Sequence, residues 1–137
     1  MPVLSFVMIV DDDEASTYLT RKVVTEMLSQ HTKISEHFLV EQALQELEEL
    51  SQAGTAFPDL IILDLNIPGM DGLDFLQAYA EKTYPDRHPT RVILFTNSLL
   101  HENVPKAREF PFVWDCVEKT IGNQELTTSI QALAKAE

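Results

Sequence analysis

The sequence predicts an α/β fold, a doubly wound parallel sheet with helices on both faces, and three observations carry that prediction. Short apolar runs such as Leu60–Leu63 show no polar alternation, which marks strands buried on both sides. Stretches with apolar residues at helical spacing separate these runs, so strand and helix alternate along the chain. Several runs end abruptly in Asp, Thr or Lys. In a parallel sheet all carboxyl ends share one edge, and open α/β sheets bind their ligands there.

Residues 4–10 form the first strand and run into Asp11-Asp12-Asp13-Glu14. Leu19, Val23, Val24, Met27 and Leu28 then recur at helical spacing over about residues 15–30. Residues 33–40 read as a half-exposed strand, since Glu36 and His37 interrupt its apolar character. Ala43, Leu44, Leu47 and Leu50 give the next helical stripe, closed by Gly54, which enters the left-handed conformation of a C-terminal stop without steric cost. Pro58 precedes Leu60–Leu63, where it removes no ladder bond. Pro68, Gly69 and Gly72 then end that strand. Leu73, Phe75, Leu76, Tyr79 and Ala80 mark a third helix that stops before Pro85.

Arg91–Thr96 is a fourth buried strand. Residues 101–109 read as a short helix with Pro105 in its first turn, the position that tolerates proline. Residues 112–119 form the fifth strand, with Trp114 and Cys116 on one side by the period-two rule. Residues 125–136 form a last helix with Leu126, Ile130 and Leu133 inward. Five strands, each followed by a helix, are expected to fill the chain from 1 to 137 and to leave no room for a second domain. Right-handed crossovers limit the topology to a few doubly wound sheets.

Composition excludes several functions. Ten Lys and Arg against 22 Asp and Glu give a formal net charge of −12. That charge repels nucleic acid and anionic membrane surfaces, and the basic residues are scattered. The single cysteine, Cys116, forms no internal disulfide and fits a reducing compartment. The first apolar run is too short for a signal peptide or a membrane span. The expectation is a soluble, cytoplasmic protein with no nucleic-acid or membrane partner.

The polar strand ends converge. Asp11, Asp12 and Asp13 follow the first strand, Asp64 the third, Thr96 closes the fourth and Lys119 the fifth. Three or more carboxylates at one point resist ionising together unless a cation offsets them. Mg2+, a hard cation, takes carboxylate oxygens while keeping waters and binding phosphate oxygens. A carboxylate beside such an ion, with an ammonium and a hydroxyl opposite, is equipped for phosphoryl transfer. Asp13 and Glu14 also suit the N-terminus of the first helix as cap and first-turn acid. His31, His37, His88 and His101 have no metal-ligand spacing and read as surface or core residues.

On the segments Val7-Met8-Ile9-Val10-Asp11-Asp12 and Asp64-Leu65-Asn66-Ile67-Pro68-Gly69-Met70-Asp71-Gly72, the chain resembles the CheY-like receiver domain of two-component response regulators. The resemblance covers essentially the whole chain. It implies a flavodoxin-like (βα)5 fold with strand order 2-1-3-4-5. It further implies Asp64 as phosphoacceptor, with Mg2+ held by Asp12, by Asp11 through a water, by Asp64 and by the main-chain carbonyl of Asn66. Thr96 resembles the switch hydroxyl and Lys119 the cation that pairs with the phosphoryl group. Asn66 and Ser98 occupy positions that in this family help set how fast water removes it.

Three positions depart from the family pattern. Thr120 follows Lys119 where a cis proline is usual, so a trans bond and a different loop are expected. Cys116 stands where an aromatic residue commonly reports phosphorylation, and Asn97 replaces a small residue after the switch hydroxyl.

The resulting expectation is a single-domain response regulator, a signalling phosphoprotein and not an enzyme. A histidine kinase or histidine phosphotransfer protein would supply the phosphoryl group, and a downstream protein would read a face built from the last two helices and last strand. Two other functions compete with it. A phosphorylation-independent pseudo-receiver would use the same fold as an interaction module. An aspartate-nucleophile phosphohydrolase would need its nucleophile near the chain start and a second Asp two residues on, where this chain has Asn66.

Overall fold

Alternation along each strand sorts the apolar residues into two layers. Met8, Val10, Ile61, Leu63, Val92 and Leu94 face one side of the sheet, with Val40, Ala43 and Leu47 and with Phe75, Leu76 and Tyr79 packed on them. Val7, Ile9, Leu60, Ile62, Ile93 and Phe95 face the other, covered by Val24, Leu126, Ile130 and Leu133. All four residues of Leu60–Leu63 are buried, as a central strand covered on both faces requires.

The computed structural model describes residues 4–136. In chain order the elements are β1 (Phe6–Val10), α1 (Glu14–Met27), β2 (Lys33–His37), α2 (Val40–Ala53), β3 (Leu60–Leu63) and α3 (Gly72–Glu81). They continue with α4 (Tyr84–Arg87), β4 (Arg91–Thr96), α5 (Val104–Ala107), β5 (Val113–Glu118) and α6 (Gln124–Ala136). The strands pair in the order β2-β1-β3-β4-β5, all parallel, which is the flavodoxin-like arrangement expected. Helices α1 and α6 cover one face, and α2 and α3 with the short α4 and α5 cover the other.

Local chemistry sets the ends. Asp13 caps α1 by accepting from the Ala15 and Ser16 N–H groups, as the acidic cluster led one to expect. Gly54 ends α2 at φ 67, the left-handed stop. Asp71 and Asp74 form a reciprocal capping box at the start of α3. The edge strand β2 is half-exposed, matching its mixed composition.

The structure corrects the sequence reading in three places. Val40 opens α2 and does not close β2. An additional helical turn, α4, forms over Tyr84–Arg87, because Pro85 falls in its first turn and supplies a helical φ there. Trp114 and Cys116 lie on opposite faces of the sheet, not on one. The β4–β5 register shifts from Val92↔Val113 to Ile93↔Asp115, a bulge that inserts one residue and reverses the alternation. Trp114 therefore packs with the α1–α6 layer, its Nε1–H donating to the Ser129 carbonyl at 3.3 Å, while Cys116 faces the α2–α3 layer. Among the described residues no helix is long and apolar enough to cross a membrane.

Candidate functional site

The ladder delivers the polar strand ends to one edge. The Asp11 N–H donates to the His37 carbonyl at 3.0 Å, and the Asp64 N–H donates to the Val10 carbonyl at 2.9 Å. The Lys119 N–H donates to the Thr96 carbonyl at 2.7 Å. The main chain just beyond β1, β3 and β5 is thus fixed by its neighbours before any side chain is considered.

Side chains then meet. Asp11, Asp12 and Asp64 each offer a carboxylate oxygen within 4.8 Å of the other two. Lys119 Nζ bridges two of them, 2.8 Å from Asp11 Oδ2 and 3.1 Å from Asp64 Oδ2. Asp11 and Asp64 are buried, Asp12 is exposed, and Lys119 is mostly covered. The Asn66 N–H donates to Asp64 Oδ1 at 2.9 Å and so fixes the rotation of that carboxylate, while the Asn66 side chain is exposed. Gly72 makes the approach of α3 possible: a Cβ there would sit 2.6 Å from the Asp64 carbonyl oxygen and 2.7 Å from Leu65 Cα. That distance is far inside contact, so a side chain at this position would push the Asp64 loop away.

Burial pushes the Asp64 carboxyl above its ordinary value, and the charge of Asp11 adds to the effect. The Asn66 N–H and the Lys119 ammonium oppose that shift without cancelling it. Burial acts to lower Lys119, but its hydrogen bonds and charge contacts with Asp11 and Asp64 prevail and hold the ammonium above the usual lysine range. Three carboxylates against one ammonium leave an excess of negative charge at a site open on the Asp12 side. An all-oxygen donor set with that excess fits a hard divalent cation.

Thr96 is fully buried, and its Oγ1 accepts from the Ser98 N–H at 3.4 Å without touching Asp64. Asn97 and Ser98 are exposed beside it. No cis peptide occurs among the described residues, so the Lys119–Thr120 bond is trans, as the absence of proline required. Sequence reasoning missed two participants. Ser16 donates its hydroxyl to Asp11 Oδ2 at 2.7 Å, and Lys119 Nζ lies 5.5 Å from the centre of the Phe95 ring. Both carried a signal: Ser16 lies one helical turn past the acidic cluster, and Phe95 directly precedes Thr96.

Residues 7–131 match the family model of the response regulator receiver domain. The nitrate/nitrite response regulator protein NarL of Escherichia coli K12 is 33% identical over 96 residues, which are 70% of this chain and 40% of that protein. The chain therefore spans less than half the length of the curated relatives it matches. A two-component response regulator from Cytophaga hutchinsonii shares the fold with a TM-score of 0.79 at 23% identity, over 97% of this chain and 98% of that one. The Mn2+-bound form of response regulator Rcp1 does so with a TM-score of 0.68 at 21% identity, over 94% and 91%. With the family model matched over residues 7–131, this chain belongs to the response regulator receiver domains of two-component signalling.

Proposed function

We propose that this receiver domain accepts a phosphoryl group on Asp64 from a phosphohistidine of a histidine kinase or histidine phosphotransfer protein. The observation that carries the reading is the meeting of Asp11, Asp12 and Asp64 within 4.8 Å, bridged by Lys119. Asp11, Asp12, Asp64 and the main-chain carbonyl of Asn66 would hold Mg2+, a reading supported by the Mn2+-bound relative of the same fold. Bound there, the ion offsets the surplus negative charge and polarises phosphoryl oxygens.

The side chains divide the remaining work. A carboxylate oxygen of Asp64 forms the new P–O bond as the P–N bond to the donor imidazole breaks. The electron pair of that bond leaves on the imidazole nitrogen, which is then protonated. The Asn66 N–H keeps the nucleophile from rotating, so less ordering is needed at the moment of attack. Lys119, held protonated by its two acids, neutralises the transferred oxygens. Thr96 gives up its long bond to the Ser98 N–H, at a cost of about 1 kcal/mol, and turns toward the phosphoryl group. Asn66 and Ser98 govern how water reaches the acyl phosphate. The new charge shifts a pre-existing equilibrium of the face formed by α5, β5 and α6, which a downstream protein reads in the cytoplasm.

Intact-mass measurement tests this directly. With a small-molecule phosphodonor and Mg2+, the native chain should gain one phosphoryl group and Asp64→Asn none. Equal labelling of both would remove Asp64 from the mechanism, and no labelling of the native chain would favour an interaction module that works without phosphorylation.

A further inference from the structure

The sheet edge opposite Asp64 carries a cleft of about 430 Å3 that phosphoryl chemistry does not use. Its lining comes from the segments leading into β4 and β5: Pro85, His88 and Pro89 from the first, Phe110, Pro111 and Phe112 from the second. The volume lies within the ~300–1,000 Å3 typical of small-molecule sites. The cleft is built in advance of any ligand. Three prolines fix the backbone around it. Thr90 Oγ1 donates to the Pro58 carbonyl at 2.6 Å, the Arg91 N–H donates to the Asp59 carbonyl at 3.1 Å, and the Val92 N–H donates to the Phe112 carbonyl at 3.0 Å.

Its chemistry is aromatic with one cation. Phe112 is wedged between Tyr79, at 4.9 Å between ring centres, and half-buried Phe110, at 5.5 Å. Arg91 opens β4 and lines the cleft, and among the described residues no carboxylate lies within 4.0 Å of it. Its side chain makes one hydrogen bond, 3.4 Å from Nη1 to the Pro111 carbonyl, which leaves most of the guanidinium fork unused. In a chain of net charge −12, such a cation beside an aromatic wall is a specific feature. The other charged group in the lining is Asp86, which is exposed and would oppose a second negative charge on a ligand.

We infer that this cleft binds a small aromatic monocarboxylic acid, with its ring against Phe110 and Phe112 and its carboxylate on the Arg91 guanidinium. The site stands apart from the phosphoryl-accepting edge and goes beyond the function proposed above. Arg91 begins the strand that ends in Thr96, so the two sites occupy opposite ends of β4.

The test uses the full 15N-labelled chain without phosphodonor, titrated with indole-3-acetate and, separately, with indole-3-acetamide. The acid should bind and shift the amides of Arg91 and residues 110–112, and the amide should bind at least about tenfold more weakly. Arg91→Gln should reduce the acid to the level of the amide, with Arg91→Lys in between, since lysine keeps the charge but lacks the fork. Phe110→Ala should weaken acid and amide alike. Equal binding of acid and amide, unchanged binding by Arg91→Gln, shifts centred on Lys119, or no binding of the acid at about 10 mM would each overturn the inference. Should Arg91→Gln fail to fold, the acid-to-amide ratio and the shift map of the native chain decide alone.

Discussion

The two ends of β3 each carry an aspartate, and the contrast between them describes the molecule. Asp59, just before the strand, accepts from the Ser5 N–H at 2.9 Å, the Phe6 N–H at 3.0 Å and the Ser5 hydroxyl at 3.1 Å. It stitches the start of β1 to the start of β3 and has no acid among its partners. Asp64, just after the strand, is buried beside Asp11 and Asp12 and held above its normal pKa, chiefly by that burial. The surroundings differ in the same way. At the amino edge Phe57 stacks on His88 at 3.9 Å, and Tyr79 packs on Tyr84 at 5.4 Å and on Phe112 at 4.9 Å. At the carboxyl edge acids crowd around a single ammonium. One edge is arranged for cohesion, whereas the other retains unfavourable charge that a ligand can relieve, and it is at functional sites that such local conflict is expected.

The strongest way to break that division is at Tyr79, which is completely buried in the aromatic group. Tyr79→Ala should cost about 3–5 kcal/mol in urea unfolding, from lost burial and the cavity left behind. Phosphoryl labelling per folded molecule should be unchanged, because no atom of Tyr79 belongs to the acidic edge. Labelling that fell while stability held would show that the two edges are not separable in this way.

A smaller effect is expected at Lys119. Lys119→Ala leaves Asp11 and Asp64 buried without their shared counter-charge, and removal of one partner from such a group costs about 3 kcal/mol. Here the loss should depend on conditions. Excess Mg2+ should recover part of it in the variant by binding only the folded state, whereas the Tyr79→Ala loss should keep its size. Thermal melts of both variants with EDTA and with Mg2+ make the comparison. Equal Mg2+ responses in the two variants would mean that Lys119 is not the counter-charge of a cation site.

The same contrast explains what the sequence disclosed. The acidic edge was legible because a parallel sheet forces strand ends together, so Asp11, Asp64, Thr96 and Lys119 could be grouped from their positions after four apolar runs. The burial of Leu60–Leu63 was legible for the same reason. Trp114 was not, because its face depends on a bulge opposite Val92 and Ile93 and on a carbonyl of Ser129 in α6, neither of which periodicity encodes. The aromatic edge was also hidden. Phe57, Tyr79, Tyr84 and Phe112 come from four different segments, and their meeting follows from packing and not from any local pattern. Gly72 was read as a breaker, while its structural requirement is room for the Asp64 carbonyl.

The subtlest separation of the two edges lies in the pH dependence of stability. Burial raises the folded-state pKa of Asp64 above its ordinary 3.8, so the folded chain binds that proton more tightly than the unfolded chain does. The corresponding stabilisation is fully present below the unfolded value and is lost as pH rises through the folded pKa. Asp64→Asn cannot ionise, and its amide oxygen can still accept from the Asn66 N–H and from Lys119. In EDTA the variant should therefore gain on the native chain as pH rises from about 3 to about 7, with the gap in urea midpoint widest near neutrality. Mg2+ should narrow the gap at neutral pH by stabilising the native carboxylate set. A gap independent of pH, or one widest in acid, would mean that the ionised Asp64 carboxylate costs the fold nothing.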